Sequence, residues 1–259
     1  MTLISVVIPT FNRGHLLDRA IDSVLSQTYR ELELIVVDDG STDDTGVVVE
    51  RRRDERVSYI RQDNAGAPSA RNRGVAVAKG AWIAFLDSDD EWDPELLEAI
   101  LPFAANDRVV FTSHTVVFRS GTVELVPDAP VSDAVRTLLR RNIASTQTAL
   151  LPTHLAQGNP FDVSLPRFQD WDLWLTLIAA DVKFVHIPIS GATLYRQDDS
   201  ISEGPSGARQ RSLRLILAKH MRVLRRDPVA LARLFVRAYS PGKIVAVRHR
   251  RRSVVKRAI

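Results

Sequence analysis

The sequence predicts an α/β protein with a mostly parallel central sheet and helices on both faces of that sheet. Two observations carry this prediction. Short, almost purely apolar runs alternate with stretches that have helical spacing, and clusters of polar residues follow three of those runs. A strand that is covered by helices on both faces is apolar along its whole length, whereas a helix places its apolar residues three and four positions apart.

The first hundred residues contain four such strands. The predicted strands are 5–8, 32–37, 57–60 and 82–86; the predicted helices follow them at about 16–25, up to about 53, at 67–79 and after Pro94. The carboxyl ends of parallel strands meet at one edge of a sheet, and ligands bind beyond that edge. The polar clusters 10–12, 38–39 and 87–90 all follow strands there, so we expect the functional site at this edge.

The second half is less regular. A hairpin is predicted for 109–118 and 122–126 around Ser120-Gly121, helices for 132–141 and 172–180, and strands for 183–187 and 192–195. From about residue 206 the chain is helical and basic.

Several classes of protein are excluded by what the 259 residues lack. Cysteine is absent, which excludes a disulfide framework, a cysteine zinc site and a thiol nucleophile. The absence of a Gly-x-Gly-x-x-Gly motif and of a Walker-type loop counts against NAD enzymes and P-loop NTPases, and the absence of Gly-x-Ser-x-Gly counts against a serine hydrolase. Phosphate charge would therefore have to be met by a metal ion and by Arg71 or Arg73.

Two carboxylates, Asp87 and Asp89, follow the fourth strand two residues apart. This spacing lets both approach one hard cation, and Mg²⁺ or Mn²⁺ takes oxygen ligands that substrate phosphates commonly complete. The alternative is an acidic turn before a helix. Asp39 ends the second strand, where it either accepts hydrogen bonds from a nucleoside or forms a turn into the next helix. Asp170 precedes a helix rich in tryptophan and leucine, where a capping role and a role as a base are compatible.

Charge is divided unevenly along the chain. Residues 205–259 carry 16 Lys and Arg and one acidic residue, whereas residues 1–204 carry 19 Lys and Arg and 30 acidic residues. Between Ser212 and Arg226 the apolar residues share one helical face: Leu213, Ile216, Leu217, Met221 and Leu224. Such a basic amphipathic helix either packs on the body of the protein, binds an anionic membrane surface, or binds nucleic acid, and the acidic body disfavours nucleic acid.

The ordered motifs resemble the inverting family 2 of glycosyltransferases with the GT-A fold. The matching segments are Ser5–Arg13 (SVVIPTFNR), Ser26–Tyr29 (SQTY), Glu33–Asp43 (ELIVVDDGSTD), Asn64–Gly66 (NAG), Ala70–Gly74 (ARNRG), Phe85–Asp90 (FLDSDD) and, more weakly, Gln169–Trp174 (QDWDLW) and Tyr195-Arg196. The resemblance is strong over residues 3–104 and fades after about 204. It implies a nucleotide-sugar-binding half at 1–104, an acceptor-binding half of the same domain at 105–204, and a basic tail at 205–259.

The resemblance also implies roles for individual residues on the donor side. Pro9, Thr10 and Phe11 would flank the nucleobase, Asp39 would hydrogen-bond the base, and Arg71 would support the nucleotide.

The remaining implied roles concern the ion and the base. Asp87 would reach the ribose or the metal shell, and Asp89 would bind the Mn²⁺ or Mg²⁺ that bridges the diphosphate. Asp170 would be the general base. Two departures stand out: Gln169 replaces the usual glutamate before Asp170, and no histidine comes shortly after Tyr195-Arg196, where Asp198 would be the substitute ligand.

The implied reaction is metal-dependent, inverting transfer from a UDP-, dTDP- or GDP-sugar to an acceptor hydroxyl, in polysaccharide, glycolipid or other cell-envelope glycan synthesis. The acceptor would be a sugar or a lipid-linked sugar, and nucleic acid is not expected as a partner. The sequence lacks a recognisable signal peptide or membrane span, so we expect a cytoplasmic enzyme that the basic tail holds at the membrane face. The departures leave one alternative, a catalytically degenerate module that binds a nucleotide-sugar or scaffolds a complex.

Overall fold

The computed structural model describes residues 2–196 and 206–240. The strands are β1 (Ile4–Thr10), β2 (Leu32–Asp38), β3 (Val57–Arg61), β4 (Trp82–Phe85), β5 (Glu91–Trp92), β6 (Arg108–Val117), β7 (Val123–Val126), β8 (Ala149–Pro152) and β9 (Lys183–Tyr195). The helices are α1 (Gly14–Leu25), α2 (Thr45–Glu50), α3 (Ala67–Val77), α4 (Leu96–Ile100), α5 (Ala134–Arg140), α6 (Thr153–Gly158), α7 (Gln169–Ala179), α8 (Ser206–Leu224) and α9 (Pro228–Tyr239). Two 3₁₀ turns, Leu101–Phe103 and Thr146–Thr148, complete the described part.

One sheet runs through both halves of the chain in the order β3-β2-β1-β4-β8-β6-β9-β5, and β7 pairs with β6 off this path. The pairs β3–β2, β2–β1, β1–β4 and β6–β9 are parallel, as expected of βαβ units. The pairs β4–β8, β8–β6, β6–β7 and β9–β5 are antiparallel. The sheet is therefore mixed. It is parallel through the first half, and in the second half the hairpin β6–β7 and the short strand β8 bring in opposite directions.

Helices cover both faces of the sheet, as predicted. Within β1, Val7 belongs to a core with α3 and α5 to α9, whereas Val6 and Ile8 belong to a second core with α1, α2 and α4. The alternation follows because successive side chains of a strand point to opposite faces. Burial on both sides explains why β1 and β2 are apolar along almost their whole length.

The apolar face of the basic helix α8 packs on the body. Leu213, Ile216, Leu217 and Leu224 are buried in the same core as α7. At the kink of α8, His220 hydrogen-bonds Asp172 of α7 through Nε2 at 2.7 Å, and the neighbouring Lys219 Nζ donates to the same carboxylate at 2.7 Å. The leucine face of α8, for which a membrane was one of the predicted partners, thus packs on the protein itself.

Within residues 2–196 and 206–240, no helix combines the length and the apolar character that crossing a bilayer requires. The rest of the predicted tail, 241–259, and the candidate metal ligand Asp198 lie outside the described residues.

Candidate active site

The carboxyl ends of β1 and β2 form the first wall of the site. Thr10 pairs with Asp38, and the Asp39 N–H donates to the Thr10 carbonyl at 2.8 Å. The Thr10 Oγ1 atom is buried and has no hydrogen-bond partner, which is costly unless a ligand supplies one. Pro9 is buried in β1, and the Phe11 side chain, just beyond the strand, is 44% exposed. An exposed ring beside an unpartnered hydroxyl suits a nucleobase.

Asp39 is buried and organises the loop that enters α3. Its Oδ1 accepts hydrogen bonds from Gln62 Nε2 at 2.8 Å and from Ala65 N at 2.9 Å, and its Oδ2 accepts one from Gly66 N at 2.7 Å. A carboxylate offers about four acceptor positions, so one remains for a ligand. The turn into α2 is formed instead by Asp38, whose Oδ1 accepts from Ser41 N at 2.8 Å.

Arg71 of α3 reaches across to the end of β4. Its NH2 group donates to Asp87 Oδ1 at 2.6 Å, and its guanidinium lies 5.6 Å from the centre of the Phe161 ring. The helix comes this close to β1 because position 74 is glycine: a Cβ on Gly74 would lie 2.4 Å from Val7 Cγ1. The Ala70–Gly74 motif therefore supplies both the cation and the close packing that positions it.

The acidic segment after β4 is held by a residue from the second half. Gln147 Nε2 donates to Asp87 Oδ2 at 3.0 Å, and the Gln147 side chain also hydrogen-bonds Asp90. Asp90 accepts a second hydrogen bond from Tyr195 N at 2.7 Å. Burial raises the pKa of the Asp90 carboxyl well above its usual range, and the charges of Asp89 and Asp87 raise it further. Three carboxylates thus lie within electrostatic reach of one another.

The carboxylates in the segment after β4 are the type of ligand that a hard divalent cation prefers. Mg²⁺ is usually held by one or two carboxylates together with substrate phosphates, and the predicted ligands Asp87 and Asp89 carry carboxylate oxygens in the segment after β4. The backbone carbonyl of Asp89 accepts a hydrogen bond from the Arg19 guanidinium, which fixes this turn. Across the described ranges, no group of three or more His, Cys, Asp and Glu is arranged to hold a metal without a substrate.

Asp170 lies in the first turn of α7. That helix begins after Phe168, whose backbone is left-handed at φ 62° and redirects the chain. Asp170 Oδ2 accepts a hydrogen bond from Asn142 Nδ2 at 2.6 Å, and Oδ1 accepts one from Trp171 N at 2.8 Å. Burial raises the pKa of the Asp170 carboxyl, although both hydrogen bonds and the charge of Arg71 oppose the rise.

The charge of Arg71 acts on both Asp87 and Asp170. Arg71 pairs with Asp87, and the pKa of Asp170 responds to the charges of both Arg71 and Asp87. Arg71 and Asp87 are therefore in contact, Asp170 lies within electrostatic reach of both, and Asp89 follows two residues after Asp87. At the carboxyl ends of β1 and β2 in the same sheet lie Thr10, Phe11 and Asp39, and β1 is the direct neighbour of β4.

Two amides at the site were missed by the sequence analysis. Asn142 and Gln147 belong to an uncharged stretch without helical or strand periodicity, yet each donates to one of the predicted carboxylates. The signal in the sequence is weak: an amide close to a buried strand needs hydrogen-bond partners if it is itself buried, as Gln147 is in the structure.

Comparison with known proteins identifies the family. The model of the family described as "Glycosyl transferase family 2" matches residues 5–156. The chain belongs to this family. The resemblance that the sequence motifs predicted is thereby confirmed.

Curated relatives are similar to this chain over most of its length. The chain is 31% identical over 188 residues to the Escherichia coli UDP-Glc:alpha-D-GlcNAc-diphosphoundecaprenol beta-1,3-glucosyltransferase WfaP, which covers 71% of this chain and 73% of WfaP. It is 32% identical over 203 residues to an uncharacterized glycosyltransferase of Rickettsia felis, covering 74% of this chain and 34% of that protein. The chain thus spans about a third of the rickettsial relative.

Solved structures confirm the GT-A fold of the family 2 chain. The Staphylococcus aureus TarS fragment 1–349 in complex with UDP superposes with a TM-score of 0.73 at 22% identity, covering 93% of this chain and 73% of that fragment. The Pyrobaculum calidifontis mannosyltransferase PcManGT in complex with GDP-Man and Mn²⁺ gives a TM-score of 0.63 at 19% identity, covering 91% and 69%. At these identities the likeness establishes the fold.

Proposed function

We propose that this family 2 chain is a metal-dependent, inverting glycosyltransferase that moves a sugar from a nucleotide-diphospho-sugar to an acceptor hydroxyl in cell-envelope glycan synthesis. One observation carries the proposal: a carboxyl group with a raised pKa, Asp170, lies within electrostatic reach of the Arg71–Asp87 ion pair at the carboxyl edge of a nucleotide-binding type of sheet.

The donor nucleotide would bind along the ends of β1 and β2. The Phe11 ring would stack on the base, the unpartnered Thr10 hydroxyl would gain a hydrogen bond, and the remaining acceptor position of Asp39 would take a base N–H. Pro9 would shape the floor beneath the base. UDP is the first nucleotide to test because the relative WfaP is named for UDP-Glc.

Asp89, with Asp87 beside it, would hold Mn²⁺ or Mg²⁺ against the diphosphate. The bound ion would supply charge neutralisation for the departing nucleoside diphosphate. Arg71 would add positive charge at the same end of the site, while its ion pair keeps the Asp87 carboxylate fixed.

Asp170 would act as the general base. It would accept the proton of the acceptor hydroxyl at a carboxylate oxygen while that hydroxyl oxygen attacks the anomeric carbon from the face opposite the diphosphate. One such displacement inverts the anomeric configuration and needs no covalent sugar–enzyme adduct. A pKa raised by burial suits this role, because a base is most effective when its pKa lies near the working pH.

The acceptor would bind on the side formed by residues 105–204. A lipid-linked sugar is the favoured class, because WfaP is named for an acceptor linked to diphosphoundecaprenol. Such an acceptor would require the enzyme to work at a membrane face, which makes a peripheral location part of the proposal.

The test pairs two substitutions with two measurements, UDP-sugar turnover with Mn²⁺ and UDP binding with and without Mn²⁺. We expect Asp170→Asn to keep UDP binding and to lose about 10²- to 10⁴-fold in turnover, the usual contribution of a general base. Asp89→Ala should lose both turnover and the Mn²⁺-dependent part of UDP binding. Wild-type turnover in either variant would remove that residue from its role. UDP binding without any turnover by the wild-type chain would favour the degenerate binding module, which the neutral Gln169 beside Asp170 allows.

A further inference from the structure

The outer face of α9 is an unpartnered apolar surface. Ala230, Leu234 and Ala238 on the inner face are buried in the core. The opposite face carries Val229, Val236 and Tyr239 at helical spacing, with Phe235 beside them, and these four side chains are 45–55% exposed. Large apolar side chains that are grouped and exposed on one face of a helix call for a partner.

The exposed face of the neighbouring helix α8 is basic. Arg211, Arg214, Arg222 and Arg225 are exposed on it, opposite the leucines that pack into the core. The two faces join: Arg214 Nε donates to the Ala238 carbonyl at 3.1 Å, and the Arg214 guanidinium lies 5.0 Å from the centre of the Tyr239 ring. At the other contact between the helices, Gln210 Nε2 donates to the Ser240 carbonyl at 2.8 Å.

We infer that the α8–α9 surface, made of Phe235, Val236, Tyr239 and Val229 with the flanking arginines of α8, docks the protein on an anionic lipid membrane. An apolar and aromatic stripe beside a row of arginines matches the layered chemistry of a membrane face, where side chains such as Phe and Tyr enter the acyl boundary and arginines contact the headgroups. This surface replaces the leucine face of α8, which the structure buries.

Charge complementarity selects this partner. Residues 206–240 contain nine Lys and Arg and one acidic residue, Asp227. That carboxylate is already bound by Arg140 Nε at 2.8 Å and Arg136 Nε at 3.3 Å. The sequence that follows, 241–259, adds seven Lys and Arg and no acidic residue. A second copy of this chain would set two basic surfaces against each other, which is unfavourable, and a duplex of nucleic acid gains nothing from valine side chains at the centre of the face.

The experiment measures partition of the full chain onto vesicles of phosphatidylcholine with and without phosphatidylglycerol. Wild type should bind the anionic vesicles and lose binding as salt is raised. The double variant Phe235→Ser/Val236→Ser should lose about tenfold or more in partition, because two exposed apolar side chains no longer enter the lipid. Phe103→Ser is the matched control, because that phenylalanine is 46% exposed in another element.

A charge pair of variants tests the arginine row. Arg222→Glu/Arg225→Glu should weaken binding to anionic vesicles, whereas Arg51→Glu/Arg53→Glu, which alters two exposed arginines of the first half by the same charge, should keep it. All variants should retain the wild-type unfolding midpoint, because every altered side chain is exposed. If Phe235→Ser/Val236→Ser does not retain it, Tyr239→Ser is measured in its place.

Three results would overturn the inference: wild-type partition by the α9 variant, an equal loss in Phe103→Ser, or a wild-type dimer in the absence of lipid that the α9 variant converts to monomer. The last would make the face a contact between copies. The inference does not depend on the proposed reaction, because vesicle binding is measured without donor or acceptor, and UDP binding by each variant reports separately on the active site.

Discussion

The carboxylates on the two sides of the active site are held differently. On the donor side, Asp39 accepts three hydrogen bonds from the protein, and both oxygens of Asp87 are engaged, one by Arg71 and one by Gln147. On the acceptor side, Asp170 accepts one side-chain hydrogen bond, from Asn142, and one from the backbone of its own helix. At Asp170 the effect of burial outweighs that of the two hydrogen bonds and raises the pKa of the carboxyl.

In the proposed function, this difference would separate binding from proton transfer. A carboxylate that accepts several hydrogen bonds or pairs with an arginine is fixed in place, which suits the recognition of a nucleotide or an ion. A carboxylate that burial destabilises binds a proton more readily, which suits a base. The contacts of the two sides can be altered one at a time, so the comparison can be tested.

The largest effect is expected at Asn142. Replacing it by leucine removes the one side-chain donor to Asp170 that the described residues provide, and a hydrogen bond to a charged group is worth about 1.5–3 kcal/mol. The pKa of Asp170 should rise further, so the acid limb of the kcat–pH profile should move to higher pH. At a pH on that limb, kcat should fall roughly ten- to hundredfold.

The control for Asn142→Leu is Asn159→Leu, whose amide donates only to the Leu155 carbonyl in α6. The control should keep the wild-type pH profile. An unmoved acid limb in Asn142→Leu, with Asp170 still required for turnover, would show that Asn142 has no influence on the base. A matching rise in the KM for the donor would break the separation between the two sides.

At Gln147 we expect a smaller effect, and we expect it on the KM for the donor instead of the pH profile of kcat. Gln147→Leu frees Asp87 Oδ2 and removes a donor to Asp90, whereas the Arg71 ion pair with Asp87 Oδ1 remains. We expect the KM for the nucleotide-sugar to rise about tenfold, since one hydrogen bond to a charged group is lost and the other is kept. The acid limb of kcat should stay where it is. Steady-state kinetics across pH measure both quantities, and a shifted limb with an unchanged KM would contradict the assignment of Gln147 to the donor side.

The sequence predicted the carboxylates of the site and missed the amides that hold them, and the reason is physical. Asp39, Arg71 and Asp87 lie within ordered motifs whose strands and helices are set by local patterns. Gln147 meets Asp87 across 60 residues of chain, and an isolated amide has no period that could signal such a contact. Strand β8 was missed for the same reason: its pairing with β4 depends on a long-range contact. The leucine face of α8 looks the same in sequence whether it packs on protein or on lipid, and only the contacts with α7 decide.

The smallest effect tests how the donor side is positioned. Gly74→Ala places a Cβ 2.4 Å from Val7 Cγ1 and 2.8 Å from its Cγ2, in a buried contact between α3 and β1. The helix must move away, which should cost about 1–3 kcal/mol of unfolding free energy, as overpacking a core usually does. Arg71 lies one turn earlier on α3, so the KM for the donor should rise modestly while the acid limb set by Asp170 is unchanged. Gly158→Ala is the control, because a Cβ there meets no atom within 4 Å. Denaturant unfolding compares the two, and equal stability of both variants would mean that α3 can shift on β1 without cost and that Gly74 does not position Arg71.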